Sequence, residues 1–264
     1  MQSAGVAGGP RDAARMIDPI HQFNIEKIFT IGHIGNQEIA FTNSSAYMFI
    51  SVALISLLMI GGVAGRQLVP GRFQSMAELS YEFVANTIRS SAGAEGMKFF
   101  PLVFSLFMFI MVSNMVGIIP YTFTVSSHII VTASLALLVF FTVLVYGFYK
   151  NGLKFFKLFV PSGVPIFVMP IVVPIEVISF FLKPVSHSVR LFANMLAGHI
   201  ALKVFASFVV MLGTLGLIGW IGAIFPLGLT VALTALELLV AFLQAYVFAI
   251  LTCIYLNDAI HSSH

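Results

Sequence analysis

The sequence predicts an all-α integral membrane protein of about five transmembrane or tilted helices plus one amphipathic surface helix, the last two long helices forming a membrane-embedded hairpin. Three observations carry that prediction. Of the 264 residues 59% are hydrophobic and only 9% charged, well below the roughly 25% charged share of an ordinary soluble domain. The apolar residues come in charge-free runs of about twenty, and at ~1.5 Å rise per residue such a run crosses a ~30 Å hydrocarbon core. One further stretch mixes charged and apolar residues at helical spacing, the pattern of a helix with one polar and one apolar face.

Residues 1–45 read as an N-terminal polar arm, and Arg11 and Arg15 stand there without an apolar h-region, unlike a cleaved secretory signal. The first span reads as 46–65 and is followed by Arg66 and Arg72. Over 73–92, Met76, Leu79, Phe83 and Ile88 share one side while Glu78, Glu82 and Arg89 surround the rest. Ser75 and Glu78 have capping-box spacing at its start. This is a surface helix, with a connecting helix packed on protein as the alternative.

The second and third spans read as 99–119 and 129–149, and the loop between them has no Lys or Arg, whereas Lys150, Lys154 and Lys157 follow the third. By the positive-inside rule the Lys cluster and the connector after the first span are cytoplasmic, and the loop 120–128 and the N-terminus lie outside. Beyond residue 158 the apolar runs contain Pro161, Pro165, Pro170, Pro174, Pro184 and Pro226. A proline removes a backbone donor and clashes one turn back, so bent or broken helices are expected there. The spacing predicts a tilted hairpin of 165–212 and 218–257.

The net charge of +3 and pI of about 9.1 come from basic residues spread along the ends of apolar segments, which argues for topology signals and against nucleic-acid binding. Cys253 is the only cysteine, so neither a disulfide framework nor a paired-cysteine metal site is expected. No nucleophile, metal or phosphate-loop motif stands in the chain; no cofactor, no metal and no enzymatic activity of its own are expected.

Ionisable groups inside a membrane cost about 2.5 to 3.5 kcal/mol each on insertion scales, so each needs a partner, water or a task. Glu176, Lys183, His187, Arg190 and Asn194 are spaced 7, 4, 3 and 4 apart. At about 100° per residue they fall within roughly 60° of one another, one polar stripe on an apolar helix. His199 lies opposite Arg190 by the same arithmetic and must face another neighbour. Glu237, Gln244 and Tyr255 share a face of the last helix. If the two long helices are antiparallel, the natural partner of Glu237 is His199, a carboxylate and an imidazole able to share a proton. Lys183 and Lys203 have stems long enough to snorkel to an interface. His187 reads as a helix-surface or headgroup residue, His261 and His264 as an exposed tail, and Asn114 as an interhelical hydrogen-bonding residue. Arg190 stands apart: a guanidinium cannot shed its charge, and no carboxylate is close to it in sequence.

The segment KPVSHSVRLFANMLAGH, Lys183 to His199, resembles the signature of F-type ATP synthase subunit a. PGRFQSMAEL at 70–79, SNMVGIIP at 113–120 and LELLVAFLQAYVFAILTCIYLNDA in the last helix support the match, which runs from residue 47 onward. DPIHQF and YLNDAIH are similar to the alphaproteobacterial and mitochondrial branch of that family. The resemblance implies a bacterial inner-membrane or mitochondrial inner-membrane subunit whose partners are a ring of c subunits, b-type peripheral-stalk subunits, the remainder of the synthase, lipid and protons. It implies that Arg190 is the essential charge facing a rotor carboxylate, that Asn194, His199, Glu237 and Gln244 line the proton uptake path, and that Glu176 lines the release path. Asn114, Lys183 and Tyr255 are candidates for a supporting role. Some family members carry the acid where His199 stands and the imidazole where Glu237 stands, and some carry an acid in place of Gly117.

Two other classes make distinct predictions. A proton-coupled secondary transporter would work without partners and would carry a second copy of the polar stripe, and none is visible. A purely structural subunit would keep proton flux after loss of Arg190 and Glu237.

Overall fold

The computed structural model describes residues 25–34, 37–64, 69–119, 122–160, 165 and 167–260. Arg11, Arg15, Arg66, Pro161, the DPIHQF segment, His261 and His264 lie outside the described residues. The described residues form six α-helices: α1 Asn43–Ala64, α2 Arg72–Gly96, α3 Phe100–Ile118, α4 Ile129–Asn151, α5 Met169–Gly213 and α6 Leu217–Ile260. Five helical stretches are long and apolar enough to cross a membrane, α2 and α3 together counting as one of them. The chain is an all-α membrane protein with one small addition. In the arm that reads as polar, strands β1 (Lys27–Ile34) and β2 (Gln37–Thr42) pair antiparallel. Thr30, Ile34, Ile39 and Phe41 supply the β-branched and aromatic residues that favour strands, and Phe29 stacks on Phe41 at 5.0 Å.

Helix α2 corrects two expectations. It begins at Arg72 with Gly71 as N-cap, so Ser75 already lies inside the first turn and the Ser75–Glu78 capping box is not used. Instead Glu78 accepts a hydrogen bond from Gln74 at 2.8 Å. The buried face holds Ala77, Val84, Ile88 and Ala92, whereas Met76 and Leu79 are 54% and 66% exposed. Small residues win the inner face because they allow close approach: a Cβ at Gly62 of α1 would stand 2.8 Å from the Ala77 Cβ. Phe83 packs on Phe242 and Tyr246 of α6 at 5.7 and 5.5 Å, so α2 is a connecting helix packed on protein as well as an amphipathic one. Gly93, at φ 68°, breaks the helix before its last turn, a conformation glycine adopts without steric cost.

The two long helices correct a third expectation. Pro174 and Pro184 lie inside α5 and Pro226 inside α6, yet both helices run on unbroken for 45 and 44 residues. Regular helix already starts at Met169, with Pro170 in its first turn, where a missing N–H costs nothing. At ~1.5 Å per residue each helix is about 66 to 68 Å long, more than twice the ~30 Å hydrocarbon core, so both must tilt strongly. The turn between them is tight. Gly216 adopts φ 76°, and a Cβ at Gly219 would stand 2.0 Å from the Leu212 carbonyl oxygen.

The core lies where α6 meets α2, α3, α4 and α5. Phe107, Met108, Ile110, Leu191, Met195, Phe248 and Leu256 are buried there. At one end Lys150 pairs with Glu95, and Asn151 donates to the Ala259 carbonyl at 2.7 Å, tying α4 to α2 and α6.

Candidate functional site between the two long helices

Because α5 and α6 are antiparallel, residues spaced along one meet residues spaced along the other in reverse order. Four levels result. At the first, His199 Nδ1 of α5 lies 3.2 Å from Glu237 Oε1 of α6, and both side chains are about 5% exposed. Gly198 makes room for this approach, since a Cβ there would stand 2.9 Å from Glu237 Oε1. The second level is a cleft lined by Arg190 and Leu191 of α5 and by Gln244 and Leu251 of α6. At the third, the His187 ring sits edge-on to Phe248 with centroids 3.9 Å apart. At the fourth, Lys183 Nζ bonds Asp258 Oδ2 at 3.1 Å and lies 4.8 Å from the centre of the Tyr255 ring.

The first level is joined to a polar cluster built by the loop before α4. Thr124 Oγ1 lies 2.9 Å from His199 Nε2, so both ring nitrogens of His199 have neighbours. Thr124 stands over Gly117, where a Cβ would meet its Cγ2 at 2.8 Å and its Oγ1 at 2.9 Å. The space an acid at 117 would need is taken by a hydroxyl that reaches the imidazole. Asn114 is fully buried and donates to the Ala241 carbonyl of α6 at 3.4 Å while accepting from Ser126. Thr132 and Ser188 share a hydrogen bond at 3.1 Å.

The stripe on α5 divides by exposure. Glu176, Arg190 and Asn194 are exposed, Lys183 is half-buried and His187 is buried. Among the described residues no carboxylate pairs with Arg190 and none of its own chain's acids bonds it. His187, expected at the helix surface, is only 5% exposed and turns toward α6. Lys183, expected to snorkel to an interface, pairs with Asp258 of the other helix. Lys203, one turn beyond His199, is half-buried. Glu237, Gln244 and Tyr255, which share a face of α6, serve three different levels. Sequence reasoning missed Asp258, Thr124, Ser126, Thr132 and Ser188. Asp258 had a signal, since it stands three residues after Tyr255 and so shares its side of the helix. The hydroxyls had none, because isolated Ser and Thr residues are common in membrane helices for many reasons.

A family model described as ATP synthase A chain matches residues 45–257, which include every one of these groups except Asp258. The chain belongs to that family. Members named ATP synthase subunit a are close in sequence: that of Rhodopseudomonas palustris strain BisA53 is 82% identical over 94% of this chain and 100% of its own length. Those of Nitrobacter winogradskyi and Nitrobacter hamburgensis are 78% and 76% identical over the same shares. The membrane-spanning ATP synthase A chain fold therefore sets the frame in which the four levels act. Among the described residues no group of three or more His, Cys, Asp or Glu is placed to hold a metal ion.

Proposed function

We propose that this chain is the proton-conducting stator subunit of a rotary F-type ATP synthase in the bacterial inner membrane, forming two offset half-channels against a ring of c subunits. The observation that carries the reading is Arg190, an exposed guanidinium in the middle of an apolar helix with no carboxylate beside it among the described residues. A charge so placed needs an acid from outside, and a rotor carboxylate supplies one. The acid-bearing helix would lie on the exposed apolar face around Val185, Val189, Leu239 and Leu243.

Arg190 serves two ends. Its fixed charge keeps protons from running straight through, and it favours the ionised form of a carboxylate that arrives beside it. The carboxylate gives up its proton toward Glu176 and the cytoplasm. It then takes another from the buried pair His199–Glu237, with Gln244 and Asn194 lining the approach, and turns into lipid as a neutral acid because an ionised one costs too much there. The membrane potential adds about 2.3 kcal/mol per charge per 100 mV. Asn114, Lys183 and Tyr255 hold the helices at their distances. The topology is Lys150, Lys154 and Lys157 inside and the loop 120–128 outside. The b-type stalk subunits and the catalytic head complete the assembly, and this chain carries no nucleotide site.

The test replaces Arg190. Arg190→Ala and Arg190→Lys complexes should assemble yet fail to pump protons on ATP hydrolysis in inverted vesicles, Lys included because it loses its charge when desolvated and cannot fork onto a carboxylate. Near-normal pumping by Arg190→Lys would refute the reading.

A further inference from the structure

His187 is the side chain that two separate clefts have in common. One is the cleft at Arg190 and Gln244 on the exposed side of the hairpin. The other lies between α4, α5 and α6, where His187 meets Lys183, Tyr255 and Asp258. Each has room for about one water molecule. The ring between them is 5% exposed. It sits edge-on to the Phe248 ring, and its Nε2 is buried without a protein partner. A neutral imidazole with its proton on Nδ1 leaves the Nε2 lone pair as an acceptor. A buried acceptor without a partner costs stability that a leucine or phenylalanine at this place would not.

We propose that His187 hands protons between the Arg190 cleft and the Lys183–Asp258 cleft, a release route inside the protein that runs beside the exposed groove at Glu176. The proposal rests on the stator reading above. In the step, Nε2 takes a proton from water in the Arg190 cleft and forms an imidazolium. The ring then turns about its Cβ–Cγ bond, and the same proton leaves Nε2 for water in the second cleft. Only O–H and N–H bonds form and break, and no co-reactant is needed. The charged and titratable groups around the ring are Arg190 and Lys183 on α5 and Tyr255 and Asp258 on α6; α4 adds only Ala136, Val139, Phe140 and Val143. Lys183 and Asp258 offset each other. Arg190 is left to repel a resting proton, so the ring passes it on rather than keeping it.

The experiment uses membrane vesicles holding the complete membrane sector, stripped of the catalytic head, with pH set separately on the two faces. Two variants are compared, His187→Leu, which fills the space, and His187→Gln, which keeps a hydrogen-bonding group but does not titrate. Both should assemble, and both should lower passive proton conductance about tenfold. That is less than the ~100-fold typical of losing a positioned acid–base group, because the groove at Glu176 stays open. The dependence on cytoplasmic-face pH should flatten in both, and the dependence on outer-face pH should stay as in the parent. Parent-like conductance in His187→Leu, or full recovery in His187→Gln, would overturn the proposal in favour of a polar packing role. So would failure of both variants to assemble. The Arg190→Ala complex, measured in the same vesicles with the head attached, tests the stator reading independently: coupled pumping there would sink that reading whatever His187 does.

Discussion

Among the polar residues of the hairpin, His199 and Glu237 show how closely a near neighbour is specified. The imidazole has Glu237 at 3.2 Å on one side and Thr124 at 2.9 Å on the other. If the pair shares a proton as the proposed function requires, the two groups titrate together. The order of acid and base is then exchangeable, and Gly198 leaves space beside position 237. His199→Glu combined with Glu237→His should restore ATP synthesis above the level of both single changes. Synthesis no better than the worse single mutant would show that the two residues act separately. Position 237 was readable from the sequence as an intramembrane acid needing a partner, and the antiparallel hairpin named His199. Thr124 was not readable, since its role depends on Gly117 leaving room across a loop.

At the scale of elements, glycine placement sets how closely helices approach. The turn joining α5 and α6 is the sharpest case, where Gly219 stands against the Leu212 carbonyl. Any side chain there must push the start of α6 away from the end of α5. Overpacking of this kind costs about 1 to 3 kcal/mol. Gly219→Ala should lower the thermal midpoint of the detergent-solubilised complex, whereas Gly228→Ala, with nothing within 4 Å of its added Cβ, should leave it unchanged. Equal midpoints for the two variants would mean that the turn relaxes at no cost. The prolines teach the opposite lesson. Pro174, Pro184 and Pro226 each remove one hydrogen bond, yet in helices of 45 and 44 residues the remaining bonds and side-chain contacts hold the course. Local chemistry predicts the defect, and the neighbouring turns decide whether it becomes a break.

At the scale of the molecule, the proposed function requires two proton paths that stay apart while both reach one rotor site. Glu176 is exposed near the start of α5, and the fourteen residues from it to Arg190 span about 21 Å of helix. His199 lies beyond Arg190 on the same helix, turned to the opposite side. Lys183, two turns along α5, is held by Asp258, and Glu176 is exposed, as a residue on the proposed release path would be. Glu176→Gln should slow passive proton conduction in head-stripped vesicles and shift its dependence on cytoplasmic pH, with assembly intact. Normal conduction by an assembled Glu176→Gln complex would remove Glu176 from the path. Lys183→Met serves as the comparison, since it breaks the Asp258 pair without touching the carboxylate.

The sequence by itself determined the membrane class, the number of long apolar helices, the polar stripe of α5 and the singular position of Arg190. These follow from composition and helical periodicity, which are properties of each segment alone. Tertiary structure decided which members of the stripe face outward and which turn inward. It buried His187, joined Lys183 to Asp258 seventy-five residues away, put a small-residue face of α2 against α1, and brought Thr124 to His199. The physical reason is common to all four. A helix period tells which residues share a side, but the partner on that side comes from another helix or loop, and its register is set by close-packed contacts summed over the whole fold.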